Sequence, residues 1–76
     1  MTPLHAAVIV GGSEAAKALI LRGANLNLQN VSGRTPLHLA AATGQVAMVD
    51  LLMAHGANAQ ISDKNGVTAM ALASHT

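Results

Sequence analysis

Gly33-Arg34-Thr35-Pro36-Leu37-His38-Leu39-Ala40-Ala41 decides how this chain folds, because its centre occurs more than once. Thr35-Pro36-Leu37-His38 repeats Thr2-Pro3-Leu4-His5 at a distance of 33 residues, and Thr68-Ala69-Met70-Ala71 is a decayed copy another 33 residues on. The same offset relates Gly11 to Gly44, Leu19 to Leu52, Gly23-Ala24-Asn25 to Gly56-Ala57-Asn58, and Gly33 to Gly66. So many pairs at one offset mark an internal repeat, and a repeat of this length marks an array of stacked supersecondary units.

Each part of the unit has a chemical reading. A threonine before the first apolar residue suits a helix N-cap, where its hydroxyl accepts from an otherwise unpaired backbone N–H. Proline follows at the first helical position, where its missing N–H costs nothing. Gly11 and Gly44 end the first helix of each unit, and Gly23 and Gly56 sit where a left-handed cap would end the second. Asn30-Val31-Ser32-Gly33 and Asp63-Lys64-Asn65-Gly66 then read as turns. The pattern predicts helices over 3–10, 14–21, 36–43, 46–54 and 69–74, with no extended sheet. In the fourth, Val46, Val49, Leu52 and Met53 recur at helical spacing and are expected to form the buried face. In the first unit, Ser13, Ala15, Ala16 and Ala18 stand where the second has Val46, Met48, Val49 and Leu51. Val8 or Ile9 is expected to fill the space left by Ala15, Ala16 and Ala18, since volume-conserving exchanges are tolerated best in a core.

With this period and a T-P-L-H-x-A signature, the chain resembles the ankyrin-repeat family over essentially its whole length. It is read as a single all-α segment, 1–76, with units at about 1–34, 35–67 and a partial third at 68–76. The third copy departs from the family pattern, with Ala69 and Ala71 in place of Pro and His. The resemblance implies an ankyrin-repeat solenoid of helix-turn-helix units joined by turn loops. It also implies a protein-binding role on a concave surface of turn tips and first helices, and an intracellular location, cytoplasmic or nuclear. Contacts would come from variable turn and helix-edge positions. Carried onto this chain, these are Ile9, Val10 and Arg22 in the first unit. They are Val31, Ser32, Arg34, Ala42, Thr43 and His55 in and before the second, and Lys64, Asn65 and Val67 after it. Ile9 and Val10 stand out, because exposed apolar side chains suggest a contact. Two alternatives are a structural segment of a longer solenoid with no partner of its own, and self-association into a homo-oligomer through the ends of the row.

Composition narrows the function classes. Four Lys and Arg face three Asp and Glu in 76 residues, and there is no aromatic residue. No basic stripe is available to neutralise phosphates and no ring to stack on bases, which argues against nucleic acid. No apolar run approaches the roughly 18 residues of a membrane span. The absence of cysteine removes disulfides and thiolate metal sites. Glu14, Asp50 and Asp63 are the only acidic side chains, and no nucleophile–base–acid set or glycine-rich phosphate loop accompanies them, so neither catalysis nor a cofactor is expected. The resemblance makes His5 and His38 structural hydrogen-bonding hubs. Rings on stacked helices lie roughly 8–10 Å apart, beyond the ~4 Å that two ligands of one metal allow, so no metal is expected either. His55, before Gly56, suits the negative end of a helix. Asn30-Val31-Ser32 fits the glycosylation sequon. Asn27 resembles the asparagine that ankyrin-directed hydroxylases modify, with Asn25 where an acid usually stands, and is read chiefly as a loop brace.

Overall fold

The computed structural model describes residues 2–73. Five helices follow in chain order: α1 (Pro3–Ile9), α2 (Ser13–Leu21), α3 (Pro36–Ala42), α4 (Val46–Ala54) and α5 (Ala69–Ala73). Among the described residues the only β-pairing is an isolated antiparallel bridge between Ser62 and Thr68, flanking the second turn. Val10 and Thr43, expected in helix, are the C-caps of α1 and α3, and α2 begins one residue early at Ser13. The expected final residue of the last helix, Ser74, lies outside the described residues.

The starts and stops follow the local chemistry. Thr2 and Thr35 are N-caps whose side chains accept from the N–H of His5 and His38. The imidazole of each histidine reaches back to its cap threonine, closing a capping box with histidine in the position usual for Glu or Gln. Helix α1 stops because Gly11 takes φ +73°, a left-handed conformation cheap only for glycine. There the N–H of Gly12 bonds Ala7 O and that of Gly11 bonds Val8 O, using two carbonyls the helix leaves open. The same pair of bonds closes α2, α3 and α4 at Gly23, Gly44 and Gly56. Asp50 is exposed on α4.

Helix α3 is the centre of the molecule and packs against α1, α4 and α5, while α1 also packs against α2. The first helices α1, α3 and α5 thus form a row, with α2 and α4 behind it. The core includes Leu4, Val8, Leu37 and Leu52, each at most 2% exposed. Burying one such side chain contributes roughly 1.5–3 kcal/mol, so these four positions carry much of the fold. The α4 face differs from the expectation. Met48 and Leu52 are buried and Val49 and Leu51 half-buried, whereas Val46 is 71% and Met53 43% exposed. Every residue of α4 except Asp50 is apolar, so the periodicity could not select a face, and packing on α3 selects it instead. The proposed exchange of bulk in the first unit is also narrowed. Ala15 and Ala18 are exposed and Ile9 is half-exposed, so none of them has core space to give or fill. Only Val8 and Ala16, both fully buried in one cluster, fit that idea.

Candidate functional site

The surface in question is the solvent side of the helix row together with the turn tips before α3 and α5. Two histidines tie it together. His38 Nε2 lies 2.8 Å from Val67 O, a carbonyl that can only accept, so Nε2 carries the hydrogen. His38 Nδ1 then accepts from the N–H of Thr35 at 3.1 Å and lies 2.8 Å from Thr35 Oγ1. His5 does the same, with Arg34 O at 2.8 Å and Thr2 Oγ1 at 2.7 Å. Each ring therefore ties the start of a first helix to the residue 29 positions on, which leads into the next unit. Both rings are fully buried and every polar position on them is used. This is the structural role expected of them.

The turn tips are built by Asx turns. Asn30 Oδ1 accepts from the N–H groups of Ser32 and Arg34, and Asp63 Oδ1 accepts from those of Asn65 and Val67. Asn30 and Asp63 are equivalent positions, so an amide and a carboxylate hold the same turn. The carboxylate adds a pair with Arg34, whose Nε is 3.4 Å from Asp63 Oδ2. The Asp63 side chain is only 1% exposed. Its carboxyl is held below the ordinary value of 3.8, first by the N–H of Val67, then by that of Asn65 and by Arg34, against the opposing effect of burial. The neighbouring tip approaches closely, with the N–H of Lys64 donating to Ser32 O at 3.1 Å.

Other bonds between units were not legible in the sequence. Gln45 Nε2 donates to Val8 O and to Thr43 Oγ1, both at 2.8 Å, joining the end of α1 to the start of α4. Gln29 Nε2 donates to Gly33 O and Ser62 O. Asn27 Oδ1 accepts from the N–H of Asn58 at 2.8 Å, so this side chain braces one loop against the next.

The expected contact positions distribute as follows. Ile9, Val10, Ala42 and Thr43 lie at the C-terminal ends of α1 and α3 and are exposed. Val31, Ser32, Lys64 and Asn65 are exposed on the two turn tips. Arg34 and Val67 are half-buried where the turns meet the helix row, and Arg34 is already paired. Arg22 and His55 are exposed but cap α2 and α4, behind the row, apart from the other ten. A separate apolar cavity of about 220 Å³ is lined by Pro3, Leu4, Leu19, Ala24 and Leu28, with Thr2 and Asn25 at its edge. Of the equivalents in the second unit, Pro36, Leu37, Leu52 and Ala57 are all buried. Among the described residues no helix is long and apolar enough to cross a membrane, and no three His, Asp or Glu side chains gather as metal ligands would.

Comparison with the curated proteins finds no match to the chain. The family model of ankyrin repeats (3 copies) matches residues 1–76. Units of two antiparallel helices, repeating every 33 residues, start on a Thr-Pro cap and lock through a buried histidine. Together with that match they settle the lineage: the chain belongs to the ankyrin-repeat family, whose members generally serve as protein–protein interaction modules and are typically not enzymes.

Proposed function

We propose that this chain is a protein-binding module rather than a catalyst, and that its partner lies across the helix row and the turn tips. One observation carries the reading. Ile9 is 50% and Val10 78% exposed at the end of α1, and Val31 is 83% exposed on a turn tip. Leu21, Val46 and Met53 are exposed behind the row as well, but there they share the surface with Glu14, Lys17 and Asp50, whereas the exposed side chains of α1 and α3 carry no charge, and an apolar patch without charges favours a contact surface. The two histidine rings that hold this face are fully buried, so its form is set within the chain. A rigid face loses little conformational entropy on binding, which leaves more of the contact energy for affinity.

A photo-cross-linking residue placed at Ala42, on the row, and at Ala47, on the back of the second unit, tests this in cell extract. Protein adducts from position 42 and none from 47 are expected. Adducts from 47 alone would overturn the proposed surface. A second reading rests on the apolar cavity at Pro3, Leu4, Leu19 and Leu28. In that reading the chain associates with another copy through this cavity. A concentration-dependent mass in light scattering is its test.

A further inference from the structure

The partner's chemistry can be read from how charge is divided between the two sides of the molecule. Glu14, Lys17, Arg22 and Asp50 all belong to α2, α4 and their caps, and all are exposed. The exposed side chains of α1 and α3, by contrast, carry no charge. The 33-residue offset places Ile9 beside Ala42 and Val10 beside Thr43, on helices that pack together. The row is therefore a strip of uncharged, mainly apolar side chains.

Charge appears only at its turn-tip edge, and there it is positive. Lys64 is exposed at the second tip and forms no ion pair among the described residues. The acid next to it in sequence, Asp63, does not neutralise it. That carboxylate is turned inward and occupied by two backbone N–H groups and Arg34. Val31 occupies the equivalent place on the neighbouring tip, and Ser32 O accepts from the Lys64 N–H. The two tips are thus joined through their backbones, one carrying an exposed valine and the other an exposed lysine.

We infer that the row binds a segment that is uncharged and apolar where it crosses Ile9, Val10 and Ala42, and that places a carboxylate on Lys64 beside Val31. This rests on the interaction-module reading and specifies its partner. A charged side chain laid on the strip would lose water without gaining a counter-charge, a cost of desolvation with no return. A basic residue at the tips would meet Lys64. An acid there gains a rim ion pair, which contributes more to specificity and association rate than to bulk affinity.

The test uses random dodecapeptides displayed on phage and selected on the full 76-residue chain. A seven-residue helix is ~10 Å long and neighbouring helices are roughly 8–10 Å apart. An extended dodecapeptide, reaching about 40 Å, spans both the strip and the tips. The expected selection is apolar peptides with Asp or Glu towards one end. Binding of a selected peptide should weaken about five- to tenfold in Ile9→Gln and in Lys64→Glu, as for well-placed interface residues. Replacing the peptide's acid by Lys should restore binding to Lys64→Glu. Circular dichroism checks that each variant keeps its helix, and Val10→Ser substitutes for Ile9→Gln if that variant does not. Selected peptides that are basic, or indifferent to Lys64→Glu, overturn the inferred chemistry while leaving a binding module. Peptides lost in Leu21→Gln, behind the row, but not in the other variants overturn the surface as well. A selection with no enrichment overturns both readings.

Discussion

Gly33 and Gly66 form a controlled pair for measuring what one turn tip gains by touching the next. They are equivalent positions with the same φ of +77°, so an alanine at either pays the same left-handed strain, roughly 1–2 kcal/mol. Their surroundings differ. A Cβ on Gly66 meets nothing within 4 Å, whereas one on Gly33 lies 2.8 Å from the backbone N of Lys64 and 3.2 Å from two backbone carbons of Asp63. Those are backbone atoms, so no side chain can swing away. The second tip must move as a piece, costing about 1–3 kcal/mol by analogy with overpacking a core. Movement also threatens the Lys64 N–H to Ser32 O bond, worth about 0.5–1.5 kcal/mol net. Gly66→Ala should therefore cost about 1–2 kcal/mol and Gly33→Ala about 3–5 kcal/mol. A chain of this size holds only ~4–11 kcal/mol in total, so the second variant should be close to unfolding. Urea denaturation followed by far-ultraviolet circular dichroism measures both. Equal losses in the two variants would refute the idea that close contact between tips, rather than local conformation, governs this position.

Other consequences follow from the same bonds. His38→Ala should cost about 2–4 kcal/mol in urea denaturation, because it leaves the buried Thr35 N–H without its partner and empties the space of a fully buried ring, while Val67 O keeps the N–H of Asp63. His5→Ala should cost less, since its cap Thr2 is half-exposed where Thr35 is buried. Asp63→Asn should keep the turn, as Asn30 does at the equivalent position, and lose only the pair with Arg34. The native Asp63 carboxyl is held below 3.8, so its contribution is full above the unfolded value and is lost as pH falls through the lower folded one. Acid titration of stability should accordingly be flatter below about pH 4 in Asp63→Asn than in the native chain. Arrays gain stability from neighbour interfaces, and α5 packs on α3 alone among the strongly contacting helices. Native-state hydrogen exchange should show Leu72 opening before Val49 and Leu52, and equal protection would contradict this.

The helix boundaries were readable because single residues with strong local preferences mark them. Thr-Pro opens α1 and α3, and glycine closes four helices within a residue of the expected place. The buried face of α4 was not readable, since a helix apolar at all but one position offers no contrast for periodicity to use. Bonds between units were hidden for a different reason. Gln45 to Val8 and Asn27 to Asn58 join residues brought together only by stacking, more than 30 positions apart. One further contact carried a usable signal. Arg34 and Asp63 are 29 residues apart, the same separation as His5 from Arg34 O and His38 from Val67 O. A reader who trusted the histidine bonds could have paired those charges. Of the proposed contact positions, Arg34 and Val67 are half-buried and the others are exposed.

Residue-resolved hydrogen exchange on the chain, free and with a selected dodecapeptide or a cross-linked partner, tests the binding face most directly. Bound partner should slow exchange around Val10, Thr43 and the Lys64–Asn65 tip, and leave Ala15, Ala47 and Asp50 unchanged. Slowing confined to α2 and α4 would show that the partner sits on the back of the molecule and would contradict the account.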